Sequence, residues 1–358
     1  MQGLALEGGG AKGAYHVGAY KALLECGYNF KAVAGASIGA ITAAMICQGD
    51  IKTLEKLWLE LNAEVFNMDS HLVHNVINHS LEKKDLKQAF SLIINIIKNR
   101  GIDTGNIRDL LDKYIDEEKI RKSKIKFGLV TLRISDFTPL ELTIDEIPKG
   151  KLKDFIMASC YLPVFRLQRI IDEKYYLDGG YTNVLPITLL ERIGCTEIIG
   201  VRVKKFGLIK KKKKDSTKVT IIMPQKNIGS IILLDQNRSR ENIEKGYYDT
   251  LKIIKKLDGN NYCFKKRTYN IYTYINRHID PLIKKKLIKK YHAQNDKELT
   301  IAILEEIMAR MNYTPYQVYD PWEVIKMIKK QYRYSKKSII YNYIIGLKSC
   351  WYTFKKNI

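Results

Sequence analysis

Leu4-Ala5-Leu6-Glu7-Gly8-Gly9-Gly10-Ala11-Lys12-Gly13-Ala14 opens the chain, and Val33-Ala34-Gly35-Ala36-Ser37-Ile38-Gly39-Ala40 follows fewer than 30 residues later. Each stretch passes from a short apolar run through a glycine-rich turn into a helix-like run, which predicts two successive strand-turn-helix units. In the second, Gly35-x-Ser37-x-Gly39 has the spacing of a sharp turn that projects a serine hydroxyl from a strained backbone. Its glycines let strand and helix pack closely. In the first, consecutive glycines expose backbone N–H groups at a helix N-terminus, where the dipole also favours negative charge. A nucleophile and an oxyanion-stabilising loop in this shared context make acyl transfer the leading chemistry.

Working outward, periodicity predicts strands at 3–7 and 32–36 and helices at 14–26, 38–47 and 51–65, with residues 70–122 helical throughout. Strand signals return at 127–134, 140–144, 175–177 and 197–203, with helices at 149–160 and after Pro186 and a last strand at 219–223. Strands separated by helices imply a mostly parallel sheet covered on both faces, a three-layer α/β/α sandwich. The expected division is a catalytic domain over 1–205, a boundary loop with a last strand and helix over 206–280, and a basic, tyrosine-rich helical region over 281–358.

Gly8-x-Gly10-x-x-Gly13 after a strand also satisfies the dinucleotide-binding pattern. That reading wants an acidic residue at the end of the next strand, which here ends in Gly35-Ala36-Ser37. A phosphate-binding loop fails as well, because Lys12 is not followed by Ser or Thr. A serine nucleophile needs a base. Asp178, in Tyr176-Leu177-Asp178-Gly179-Gly180 at the end of a predicted strand, is the candidate, although an Asp-Gly pair serves equally well to cap a turn.

Taken together, the two opening motifs, Ala158-Ser159-x-x-x-Pro163-x-Phe165, and Asp178-Gly179-Gly180-x-x-Asn183 resemble the patatin-like phospholipases over roughly residues 2–205. The resemblance implies a Ser-Asp dyad without histidine, in which Ser37 attacks an ester carbonyl and Asp178 is the base. It also implies that the loop Gly8, Gly9, Gly10, Ala11, Lys12, Gly13 carries the oxyanion hole, and that Gly35, Ala36, Ser37, Ile38, Gly39 form the nucleophile elbow. Lys12 stands where the family more often has arginine, and would act as a point charge rather than a fork. No metal or other cofactor is required by this chemistry.

A conventional triad would need a later histidine, and only His278 and His292 follow Asp178, both in lysine-rich surroundings. His16 reads as a packed helix residue. His71, His74 and His79 read as a solvated face, since no carboxylate or cysteine completes a metal shell.

The net charge of +23 is unevenly placed. Residues 1–200 carry 25 Lys and Arg against 25 Asp and Glu, whereas 201–358 carry 36 against 13, together with 15 of the 23 tyrosines. Within 324–358, Ile325, Ile328 and Tyr332 lie opposite Lys326, Lys329, Lys330 and Arg333, the pattern of a basic amphipathic helix that could lie on an anionic membrane. A nucleic-acid groove remains as the less favoured partner, since net charge does not separate the phosphates of lipid and RNA and clustered cations alone do not identify a partner. The competing function class is therefore a membrane- or nucleic-acid-binding protein of the same fold with little hydrolytic activity. Six cysteines without Cys-x-x-Cys spacing suit a reducing, cytoplasmic setting. No apolar run approaches the roughly 20 residues that cross a bilayer, and no secretory signal is recognised at the start, so a soluble or peripheral protein is expected.

Overall fold

Short runs rich in Ala, Val, Ile and Leu and nearly free of charge are suited to strands buried on both faces, and they build the centre of the molecule. The computed structural model describes residues 1–61, 103–163, 165–203, 208–231, 234–267, 272–273, 276–277 and 279–331. The chain divides into two compact units, Met1–Thr250 and Leu251–Ile358.

The first unit holds a seven-stranded sheet made of β1 (Gln2–Leu6), β2 (Ala32–Ala36), β3 (Lys126–Arg133), β4 (Thr138–Thr143), β5 (Tyr176–Asp178), β6 (Glu197–Val201) and β7 (Lys218–Ile222). The order is β4-β3-β2-β1-β6-β7, with β5 also paired to β3. Five strands, β3-β2-β1-β6-β7, are parallel. Both β4 and β5 run antiparallel to β3. The expected strands thus form within one or two residues of their predicted limits, and the mostly parallel sheet is as the alternation of elements implied.

Side chains alternate across each strand. Ala5, Ala32, Ala34 and Ile198 pack against the helix Ile187–Ile193 through Leu189 and Leu190. The intervening Leu4, Leu6 and Val33 face the opposite side, where α2 (Ile38–Cys47) lies against β1, β2 and β3. Every residue of α2 after Ile38 is buried, which explains why its sequence is apolar all round rather than striped. The preceding helix α1 (Ala14–Glu25) is tied to the long helix Gln236–Ile254 by the Tyr15 hydroxyl, which donates to Asp249 at 3.0 Å. The predicted helical stretch 70–122 is described only from 103 onward, as Gly105–Tyr114 and Glu117–Lys122; residues 62–102 lie outside the described residues.

The second unit has its own core, in which Phe264, Leu299, Ile303, Leu304, Ile307 and Tyr319 are buried. Two strands too short to leave a periodic signal, β8 (Cys263–Phe264) and β9 (Val318–Tyr319), pair parallel there, so the region after 281 is not wholly helical. Glu305 is buried at this core, where one carboxylate oxygen accepts the amides of Asn260, Asn261 and Tyr262 at 2.6, 2.7 and 3.1 Å. The helix Pro321–Gln331 turns Val324, Ile325 and Ile328 into the same core. The apolar stripe expected to face lipid is therefore, for Ile325 and Ile328, packed inside the unit, in the core that also holds Leu304 and Ile307. Residues 332–358, with the rest of that stripe, lie outside the described residues.

His16, on α1, is fully buried, and among the described residues neither ring nitrogen has a hydrogen-bond partner. Burial alone pushes its imidazole from 6.5 down to about 3. The folded value is depressed, so the unfolded chain takes up the proton first, and stability falls as pH drops from 6.5 towards 3 at about 1.4 kcal/mol per unit. His16→Met is expected to remove that part of the slope. Between pH 6.5 and 4.5 the urea midpoint of the native protein should fall relative to that of His16→Met; parallel curves would contradict the assignment.

Candidate active site

A non-glycine residue at positive φ is costly, and Ser37 stands at φ 55° and ψ −130° between β2 and α2. The flanking sequence explains how the turn closes. A Cβ on Gly35 would lie 2.0 Å from the carbonyl oxygen of Gly39, so α2 can leave the strand this tightly only with glycine there. Ala40 N–H donates to the Ser37 carbonyl at 2.7 Å, and the amide of Ser37 itself donates to Ser159 Oγ at 2.9 Å.

Register places the second residue. The last pair between β2 and β3 is Ala36 with Val130, and β3 continues for three residues more. Over that extension β5 takes up the side of β3 that β2 has left, pairing Thr131 with Asp178. Asp178 therefore occupies the lattice position that Ser37 would have held had β2 run on straight. Its amide donates to the Tyr161 carbonyl at 2.9 Å, and Oδ1 accepts from Gly180 N–H at 2.7 Å, so the turn-capping role and the position beside Ser37 coexist. Cys160 responds to both residues. Burial pushes its thiol well up, the Asp178 charge adds to this, and a hydrogen bond with the Ser37 side chain works against it.

The glycine loop borders the same point, since a Cβ on Gly8 would come within 3.1 Å of Ser37 Cβ. Three of its amides are already engaged. Gly8 donates to Val184 O at 3.2 Å, Ala11 to Ile231 O at 2.7 Å and Lys12 to Gly9 O at 3.3 Å. Gly13 lies within the helical turn Gly10–Gly13, and the amides of Gly9 and Gly10 have no acceptor among the described residues. The loop is held at its base by Glu7, which is fully buried. Glu7 Oε1 accepts from Arg202 Nε and Nη2 at 3.2 and 3.1 Å, and Oε2 from Val203 N–H at 2.5 Å. Nothing in the sequence marked Glu7 or Arg202, because they are 195 residues apart and meet only when β6 pairs with β1.

Asn183, the last residue of the Asp-Gly-Gly stretch's wider pattern, is buried and donates through Nδ2 to Glu141 Oε1 and Thr188 Oγ1, both at 3.1 Å. Lys210 Nζ completes the cluster on Glu141 at 2.6 Å. Gly179 lies hard against Val130, where a Cβ would be 2.1 Å from the carbonyl oxygen. His292 sits exposed at the end of the helix Pro281–Tyr291 in the second unit; His71, His74, His79 and His278 lie outside the described residues. Among the described residues no helix is long and apolar enough to cross a membrane.

Glu7→Gln keeps the volume and removes the charge facing a nearly buried Arg202, so the loop's anchor should fail by about 3 kcal/mol. Thermal and urea denaturation of this variant measure that loss; an unchanged midpoint would show that the pair contributes nothing to holding the loop.

The family model described as "Patatin-like phospholipase" matches residues 4–190, from the glycine loop through the Asp-Gly-Gly turn. The protein YqhO of Bacillus subtilis is 27% identical over 219 residues, covering 54% of this chain and 68% of that one. The neuropathy target esterase sws of Drosophila melanogaster is 28% identical, and the rat patatin-like phospholipase domain-containing protein 7 is 27% identical; each match covers 56% of this chain. The matched region spans only 13% of either of those two proteins. Among solved structures, VipD from Legionella pneumophila aligns over 99% of this chain and 86% of its own, at 16% identity and a TM-score of 0.46. With the family model taking in more than half of its length, this chain belongs to the patatin-like phospholipase family.

Proposed function

We propose that the chain is a lipid acyl hydrolase that cleaves fatty acyl esters of phospholipids or lysophospholipids through an acyl-Ser37 intermediate. The register that sets Asp178 opposite Thr131, one step beyond the Ala36–Val130 pair, carries this reading. In the first half-reaction Asp178 takes the hydroxyl proton as Ser37 Oγ attacks the ester carbonyl. The amides of Gly9 and Gly10 receive the developing oxyanion, at roughly 3 kcal/mol for each well-aimed donor. Collapse breaks the ester bond, and the departing alcohol takes the proton from Asp178. In the second half-reaction Asp178 deprotonates water, which attacks the acyl carbonyl, and Ser37 recovers its proton as the fatty acid leaves.

Ser37→Ala and Asp178→Asn are each expected to lower ester hydrolysis by at least about a thousandfold with little change in melting temperature. A fluorophosphonate should label Ser37 in the native protein and in neither variant. Substantial hydrolysis by purified Ser37→Ala protein would sink the mechanism.

Contact with lipid is better supported on the catalytic unit than on the helix Pro321–Gln331, whose apolar face is internal. Phe137 at the β3–β4 turn is 75% exposed, Leu167 68%, Leu208 61% and Tyr181 54%. All four lie towards the carboxyl end of the parallel strands. Phe137 follows the end of β3, Leu167 precedes β5, and the Leu208 carbonyl accepts from Val184 N–H. Tyr181 is near enough to Asp178 for that charge, after burial, to push its phenol up. Exposed apolar groups at this end of the sheet suit insertion into a lipid surface. Phe137→Ser with Leu208→Ser should weaken binding to phosphatidylcholine/phosphatidylglycerol vesicles about tenfold per side chain while sparing hydrolysis of a soluble short-chain ester. Unchanged vesicle flotation would move the contact elsewhere, residues 332–358 being the next segment to test.

A further inference from the structure

Ala158-Ser159-Cys160-Tyr161 closes the helix Leu152–Ser159, and the reaction as written uses none of it. Each of the last three residues nevertheless meets the pair Ser37 and Asp178. Ser159 Oγ accepts the Ser37 amide at 2.9 Å and donates to the Val130 carbonyl at 2.7 Å. Tyr161 O accepts the Asp178 amide at 2.9 Å. Cys160, between them in sequence, has its thiol pushed up by burial and by the Asp178 charge, with the Ser37 side chain working against this.

We infer that Ser159 is a positioning residue for the nucleophile: Ser159-Cys160-Tyr161 acts as a bracket that fixes Ser37 relative to Asp178, and the Ser159 hydroxyl is its grip on the Ser37 side. The inference rests on the reading of those two residues as a dyad. Ser37 leaves the sheet at positive φ one residue after Ala36 pairs with Val130, so the elbow and the end of that ladder part company there. The Ser159 hydroxyl fills the gap with one acceptor and one donor function, both used, in a side chain with no solvent exposure. Water cannot readily substitute at such a place. Removing the hydroxyl strands two buried main-chain groups and frees the elbow to relax from its strained conformation. A displacement of about 1 Å at a reacting atom is enough to cost a hundredfold in rate.

The test uses the full chain as native protein, Ser159→Ala and Ser159→Thr, with Ser159→Cys in reserve should the alanine variant not fold. Three quantities are measured: the rate of fluorophosphonate labelling at Ser37, kcat and KM on a soluble short-chain p-nitrophenyl ester, and hydrogen exchange at the Ser37 amide. For Ser159→Ala, labelling and kcat should each fall about tenfold to a hundredfold with KM within about twofold, and the Ser37 amide should exchange faster. Ser159→Thr, which keeps the hydroxyl, should restore most of the loss. Labelling of Ser159→Ala at the native rate overturns the inference, as does a loss unrescued by threonine with native exchange at Ser37. Absence of labelling in the native protein would count against the hydrolase reading instead, and exchange at the Ser37 amide would then decide alone whether Ser159 holds the elbow.

Discussion

Ser37 is held at φ 55° between a strand and a helix, a backbone state that a serine does not adopt by itself. Three independent contacts impose it. Gly35 lets α2 close onto β2, and Gly39 lets α2 close onto the end of β1 at Leu6, each within a distance that no side chain would permit. Gly8 brings the neighbouring loop against the serine. From behind, Ser159 takes the amide that the turn has removed from the sheet. Strain of roughly 1–3 kcal/mol at one residue persists because the surrounding strands, buried on both faces, leave it no easier conformation.

The rest of the site follows from how far each strand extends. β3 outruns β2 by three residues, and an antiparallel β5 of three residues is enough to occupy the vacated edge. That sets Asp178 one register step beyond the Ala36–Val130 pair, next to the turn at Ser37, without any loop having to reach across. β1 ends beside β6, so that Glu7 and Arg202 meet and anchor the glycine loop. Ligand chemistry at the carboxyl end of a parallel sheet is a general property of α/β folds, and here the sheet order puts β1 and β2, each followed by its turn, at the centre.

The uneven charge takes on a different meaning once the second unit is seen. Among the described residues its helices pack their apolar residues together with the two-strand sheet, and buried Glu305 collects three amides there, so this unit has a core of its own. A basic amphipathic pattern in sequence describes a helix with one apolar face; it does not say whether that face meets lipid or protein. For Ile325 and Ile328 the answer is protein.

The sequence alone determined most of the α/β architecture and the two turns around Ser37, because both are local. Period-two and period-3.6 patterns mark the strands and helices, and glycine spacing marks turns that need room or positive φ. Asp178 stood in the sequence as an equal contest between a turn cap and a base, and the structure gives it the cap bond and a place beside Ser37 together. Hidden from the sequence were the antiparallel sense of β4 and β5, the strands β8 and β9, the Glu7–Arg202 pair and the part played by Ser159. Each of these depends on which residues distant along the chain come to share an edge or a hydrogen bond. Strand direction and register are set by packing across the whole sheet, and no local pattern encodes them.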